Sequence, residues 1–255
     1  FGAGGYALGY ALLRWGTSVW TALGFAVIVT VTLSIFIGYL SIRAKGIYFA
    51  ILTLAFAEVI YRIVFYTDFL GGSDGMIGLP RPTLRILEGI QLSITKPFTF
   101  FFFTLAYGII AYGVIWKLTH SSFGKVLEAI RENEERVAFI GYNVKRYKMI
   151  CFGFSAMFAG LSGAFYSLFK GFADTEQLHF LTSGKVILMT LIGGIRTLIG
   201  PVIGAAFITF LETFISRHLE YYLVIVGFTF VLVVIFLPKG LFGSLQDYME
   251  GRSKY

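Results

Sequence analysis

Three stretches of this chain run for twenty residues or more without one Asp, Glu, Lys or Arg: residues 19–42, 97–116 and 149–169. A helix needs roughly 20 apolar residues to cross a hydrocarbon core of about 30 Å. Residues 46–66 have the same length and apolar character but carry Glu58 and Arg62, and residues 221–237 form a last apolar run, ended by Pro238 and Gly240. Only 14% of the 255 residues are charged, whereas a soluble domain carries about a quarter. An ordinary water-soluble enzyme is excluded, and so is a solvated disordered coil. Cys151 is the single cysteine, so neither an internal disulfide nor a cysteine metal cage is available. The expected fold is all-α: a polytopic transmembrane helical bundle.

Two regions are less regular. Residues 1–13 are apolar but rich in glycine and predict a short or partial helix. The chain opens at Phe1 with no basic segment ahead of a short apolar core, so no signal peptide is read there, and further helices are expected upstream. Residues 183–215 are interrupted by Gly193-Gly194, Gly200-Pro201 and Gly204, which predicts two short helices with a break near 193–201. Irregular backbone at membrane depth is tolerated where it is buried in protein or lines a wet cavity. The break therefore marks either a transport pathway or a loop at the membrane surface.

Lys and Arg in short loops set the orientation. The loop 119–148 holds Lys125, Arg131, Arg136, Lys145, Arg146 and Lys148 and is placed in the cytoplasm. The turn with Arg43 and Lys45 falls on the same side, as does the tail with Lys239, Arg252 and Lys254. Residues 67–96 and the segment around Asp174 and Glu176 fall outside. Lipid tails are as apolar as leucine, so membrane helices associate by close approach at small residues. The run 149–169 has two such rows at i, i+4 spacing: Ala156, Gly160 and Ala164, and Ser155, Ala159 and Gly163. Gly200 to Gly204 and Gly5 to Gly9 repeat the spacing. Tight helix contacts are expected, within the chain or with a second subunit.

The segment 121–148 reads SSFGKVLEAIRENEERVAFIGYNVKRYK. Val126, Ile130, Val137 and Ile140 fall close to helical spacing, Ser122 is placed to cap the start, and Gly141 sits where a helix would stop. A short amphipathic helix on the cytoplasmic face is expected. Its retained apolar stripe implies docking against a protein or the membrane surface, and its Glu residues favour a protein over anionic lipid.

Glu128-Ala129-Ile130-Arg131-Glu132-Asn133-Glu134, with Ile140-Gly141-Tyr142-Asn143-Val144 and Arg146-Tyr147-Lys148, resembles the cytoplasmic loop of LivM-type permeases, the membrane subunits of branched-chain amino-acid ABC importers. Gly46-Ile47-Tyr48-Phe49-Ala50-Ile51 with Thr53 and Glu58, the turn Gly71-Gly72-Ser73-Asp74-Gly75, the break Gly193-Gly194 with Gly200-Pro201, and Pro238-Lys239-Gly240-Leu241 resemble further signatures of that family in the same order. Arg196 departs from the pattern, where glycine is usual. A cation there cannot face lipid cheaply and must reach the cytoplasmic surface or a wet cavity.

The resemblance implies a single permease domain over residues 1–255 with a coupling loop at 121–148. It also implies two cytosolic ABC ATPase subunits, a second homologous permease subunit, a soluble substrate-binding protein, surrounding membrane lipid, and a bacterial or archaeal plasma membrane. Nucleic acid is not an expected partner, since the basic residues are those the orientation rule requires. ATP is expected to be used by the partner subunits and no cofactor by the chain, because Gly124-Lys125 and Gly184-Lys185 lack the remainder of a phosphate-binding loop. Glu128, Ala129, Ile130, Arg131, Glu132, Ile140 and Gly141 become the expected coupling residues, with Glu128 and Arg131 as polar contacts and Ile130 and Ile140 as apolar anchors.

Glu58 is ionisable within a span and is a functional candidate by default. Arg62 at i+4 can pair with it, which is the simpler account beside a direct role with substrate. Glu212, near Ser216 and Arg217, has the same two readings. Thr53, Gly193 and Gly194 complete the expected translocation pathway, although Thr53 is expected to bond back to its own helix. Gly72, Ser73 and Asp74 of the outer turn either form a backbone nest for a carboxylate or, as preferred, a plain turn that docks the binding protein. His120, His179 and His218 lack metal-ligand spacing and any catalytic neighbour. Three other readings stay open: a urea or short-amide permease on the same scaffold, an ATP-independent secondary transporter or channel, and an integral-membrane enzyme.

Overall fold

The computed structural model describes residues 1–80, 83–87, 90–93, 97–195, 197–217, 227–228 and 240–243. Arg196, His218, Pro238, Lys239 and most of the expected last span 221–237 lie outside the described residues. Two compact units make up the chain, Phe1–Phe180 and Leu181–Tyr255.

The first unit contains α1 (Gly2–Arg14), α2 (Val19–Ser41), α3 (Ile47–Phe65), α4 (Pro97–Thr119), α5 (Ser122–Glu132), α6 (Glu134–Phe139) and α7 (Val144–Lys170). Among these, α2, α3, α4 and α7 are long and apolar enough to cross a membrane. They correspond to four of the five long runs read from the sequence and make this a multi-pass membrane protein. The glycine-rich opening segment is the short helix expected, and it is deeply buried: Leu8 and Ala11 are almost inaccessible.

Its glycines explain that burial. A Cβ on Gly4 would lie 2.0 Å from the Gly160 carbonyl oxygen, and a Cβ on Gly160 would lie 2.4 Å from Cγ2 of Thr30. The backbones of α1 and α7 and the Thr30 side chain of α2 therefore meet around Gly160 at a distance no larger residue permits. Gly163 is equally tight, against the Phe1 carbonyl. The expected small-residue contacts are thus made within the chain. The buried face takes Gly160 and Ala164 from one row and Gly163 from the other, while Ser155 is exposed.

The two ends of the bundle differ. At one end, β1 (Met76–Ile77) pairs antiparallel with β4 (Phe172–Ala173), with Met76 opposite Ala173, and the Leu79 N–H donates to the Gly171 carbonyl at 2.9 Å. Gly171 closes α7 in the left-handed conformation, φ 80°, which a residue with a Cβ adopts only at a cost. A second ladder joins β2 (Thr83–Leu87) to β3 (Ile90–Ser93). These short ladders were not foreseen from sequence. At the other end, Gly38 faces Met149 and Phe152, and the Phe49 and Phe152 rings lie 6.4 Å apart. The turn bearing Arg43 and Lys45 therefore shares an end with the loop that precedes α7. The segments 67–80 and 172–178 share the opposite end, as the charge pattern requires.

In the second unit, α8 (Phe180–Gly193) and α9 (Gly200–Ser216) are separated by the break expected from Gly193-Gly194 and Gly200-Pro201. Their lengths, about 21 and 26 Å at 1.5 Å per residue, fall short of a full crossing. A Cβ on Gly193 would meet the Gly200 carbonyl at 1.8 Å, and one on Gly204 would meet the Met189 carbonyl at 1.9 Å. Ile192 and Ile208 are sealed beside that contact, with Met189, Phe207, Leu211 and Leu241 around them.

Candidate functional site

The loop between α4 and α7 is a folded object. Ser121, one residue before the expected Ser122, caps α5: its Oγ accepts from the Gly124 N–H at 3.4 Å. The expected single helix is two. Asn133 leaves the helix with φ −159° and ψ 101°, and its Oδ1 accepts from the Arg136 N–H at 2.9 Å to start α6. Asn143 repeats this for α7, with Oδ1 accepting from the Arg146 N–H at 3.1 Å. These are ordinary side-chain caps. They start α7 at Val144, earlier than the apolar run, so Lys145, Arg146 and Lys148 stand on its first turns.

Ile130, Val137 and Val144 are buried together, with Val126, Leu127 and Tyr147 around them. The Phe123 ring stacks on Tyr147 at 5.6 Å, and Lys148 Nζ meets Glu134 Oε2 at 2.5 Å. Ile130 is therefore an internal core residue of the loop and not the outward anchor expected of it. Ile140 does point out, 70% exposed, and beside it Phe139 is 90% exposed. Phe139 was missed from sequence because it falls out of phase with the Val126–Ile130–Val137 stripe. The two form an apolar knob at the end of α6, followed by the exposed Gly141 and Tyr142. Glu128, Ala129, Arg131 and Glu132 are also exposed, with Arg131 lying 3.3 Å from Glu132 and 3.7 Å from Glu128.

The two carboxylates named as pathway candidates are each paired with a cation. Arg62 Nε donates to Glu58 Oε1 at 2.8 Å, one turn apart on α3, and the guanidinium lies over the Tyr61 ring at 5.6 Å. Glu212, on α9, meets Lys185 Nζ of α8 at 2.5 Å. Sequence proximity pointed to Ser216 and Arg217, and Lys185 was noted only for lacking a phosphate loop. Thr53 bonds back to the Phe49 and Ala50 carbonyls at 3.0 and 2.9 Å, as expected. Gly193 and Gly194 are packed against backbone, Gly193 on Gly200 and Gly194 on Gly240, so that contact leaves no space for a ligand. The candidates lie in different units: Thr53 and Glu58 in the first, Glu212, Gly193 and Gly194 in the second.

The outer turn with Gly72, Ser73 and Asp74 is a compact 3-10 turn. Its Gly71, Gly72 and Gly75 N–H groups donate to the carbonyls of Asp68, Thr67 and Gly72, and Ser73 Oγ donates to Asp74 Oδ1 at 3.1 Å. Those three N–H groups are thus satisfied within the turn. His120 stacks on Trp116 at 4.6 Å, and His179 meets the Tyr61 ring edge-on at 5.2 Å. Among the described residues, no cluster of His, Cys, Asp and Glu could hold a metal ion.

Four helices long enough to cross, a glycine-broken helix pair and a capped loop define a polytopic helical membrane protein in which Glu58 and Glu212 each meet a cation. The family model described as "Branched-chain amino acid transport system / permease component" matches residues 1–234, and the chain belongs to that family. The permease protein LivM of the high-affinity branched-chain amino acid transport system of Escherichia coli K12 is 29% identical over 98% of this chain and 64% of its own length. LivM of Salmonella typhimurium is 28% identical over 99% of this chain and 65% of its own. The chain thus spans just under two thirds of these relatives. LivH, a second permease protein of the Escherichia coli K12 system, is 25% identical over 49% of this chain and 41% of its own length. No solved structure matches.

Proposed function

We propose that the chain is the membrane-spanning permease subunit of an ATP-driven importer of branched-chain amino acids in a bacterial or archaeal plasma membrane. The observation that carries this reading is the folded loop at the end shared with Arg43 and Lys45, ending in an exposed apolar knob, in a chain that aligns with LivM over nearly all its length. Two cytosolic ATPases hydrolyse ATP, one of them seated on this loop. A homologous permease completes the membrane domain, and a soluble binding protein delivers substrate to the turn with Gly72, Ser73 and Asp74.

The loop suits a lever. Phe139 and Ile140 fill an apolar groove on the ATPase, while Glu128, Arg131 and Glu132 set orientation at the rim, where charges contribute more to register than to affinity. The Ile130–Val137–Val144 core and the Lys148–Glu134 pair join the loop to α7. Displacement of the knob is therefore carried into α7, and through the close contact at Gly160 into α1 and α2. The test is co-purification of the ATPases with the Phe139→Ala/Ile140→Ala variant. Loss of the ATPases with normal membrane insertion supports the reading; undiminished co-purification rejects the knob as the seat.

A further inference from the structure

The Glu58–Arg62 pair is unusually placed. Helix α3 is about 28 Å long, and Glu58 lies seven residues, about 10 Å, from the end that leads into the outer turn. Arg62, one turn nearer that end, bonds back to the deeper carboxylate at 2.8 Å and also engages Tyr66 one turn further out. The pair is not enclosed: the side chains of Arg62 and Glu58 are 57% and 37% exposed. Charges at such depth are costly against lipid and in membrane proteins face a bundle interior or a water-filled cavity. The face of α3 that bears them therefore looks onto water or protein.

We propose that Glu58 and Arg62 form a subsite for the charged end of a zwitterionic α-amino acid, Glu58 taking the α-ammonium group and Arg62 the α-carboxylate. This inference rests on the importer reading above. The chemistry favours it over a covering protein for two reasons. First, a zwitterion carries both complementary charges on one carbon, so it can enter between the partners and exchange one ion pair for two without leaving a charge uncompensated. A guanidinium also presents the forked donors that match a carboxylate. Second, α3 runs directly into the turn 68–75, where the binding protein is proposed to dock, so cargo released there meets Arg62 first and Glu58 one turn deeper. Neutral urea or an amide would gain no charge pairing by parting the two, so the subsite selects amino acids over uncharged solutes. Tyr66, 72% exposed a turn beyond Arg62, stands on the same route.

The experiment uses the complete transporter in vesicles, with its ATPases and binding protein and labelled leucine as the probe. Glu58→Gln, Arg62→Gln and the double variant are compared. Loss of one charge-assisted contact to substrate predicts uptake reduced about tenfold or more in each single variant and at least as much in the double variant. Co-purification of the ATPases with each variant checks assembly, since these substitutions leave the loop 121–148 untouched. A purely structural pair predicts the opposite order: each single variant leaves an orphan charge, and the double neutral variant recovers uptake, which overturns the proposal. In a Cys151→Ala background, Glu58→Cys is expected to react with a membrane-impermeant thiol reagent added outside and to be shielded by leucine. Absence of reaction, meaning that protein or lipid covers this face, overturns it as well. Absence of ATP-driven leucine uptake in the unmodified transporter is a separate result, and it rejects the importer reading itself.

Discussion

Ile130 and Ile140 occupy one loop in opposite surroundings. Ile130 is sealed against Val137 and Val144, whereas Ile140 stands in the open beside Phe139. Truncating Ile130 to alanine removes buried volume and is expected to destabilise the loop by about 2–4 kcal/mol, read as a lower unfolding temperature or faster proteolysis of the loop. Ile140→Ala is expected to change stability by less than about 0.5 kcal/mol and to act on ATPase-coupled uptake instead. Equal loss of stability in both variants would contradict this division. The apolar stripe was legible in the sequence, but periodicity says only that a face is covered, and not whether the cover comes from the same chain. The position of Gly160 was more legible, because small residues at i, i+4 spacing have few other uses in a membrane helix. Gly160→Leu forces α1 and α2 away from α7 and is expected to cost about 3 kcal/mol or to prevent folding, measured by thermal unfolding in detergent; an unchanged unfolding temperature would refute the three-helix contact.

At the level of elements, length and charge placed the four long helices and the broken pair correctly, since a bilayer dictates how long an uncharged helix must be. Missed elements were those set by single polar residues or by segments distant in sequence. Asn133 divides the loop helix by capping a new one, and a lone Asn in a charged run gives little sign of that choice between helix interior and cap. The ladder joining 76–77 to 172–173 depends on two outer segments meeting, which local pattern does not encode. The same holds for Lys185 and Glu212, 27 positions apart, whose pairing ties the start of α8 to the end of α9. Glu212 is 19% exposed, so Lys185→Met leaves a half-sheltered carboxylate without its cation. The expected loss is about 1–3 kcal/mol, discounted for the exposure of Lys185. The double variant Lys185→Met/Glu212→Met is expected to recover most of it. A double variant no better than the single would show that the pair does not hold α8 to α9.

Across the molecule, the polar features separate by depth. At one end, the loop is a rigid cap that merges into α7; at the other, the outer turn is pinned to the segment after α7 by the Leu79–Gly171 hydrogen bond. Helix α7 joins both ends and touches α1 and α2 at Gly160 and Gly163, so a movement of it is expected to carry the helices that pack on it. Such an arrangement matches a protein worked from one side and loaded from the other. The most direct measurement of that claim is uptake of labelled leucine into vesicles containing the assembled transporter, with ATP inside, comparing the native chain with Phe139→Ala/Ile140→Ala. The account predicts that uptake and stimulated ATP hydrolysis fall together in the variant, by about tenfold or more, while membrane insertion is unchanged. Leucine uptake that persists in the variant, or that runs on an ion gradient with no ATPase present, would contradict it.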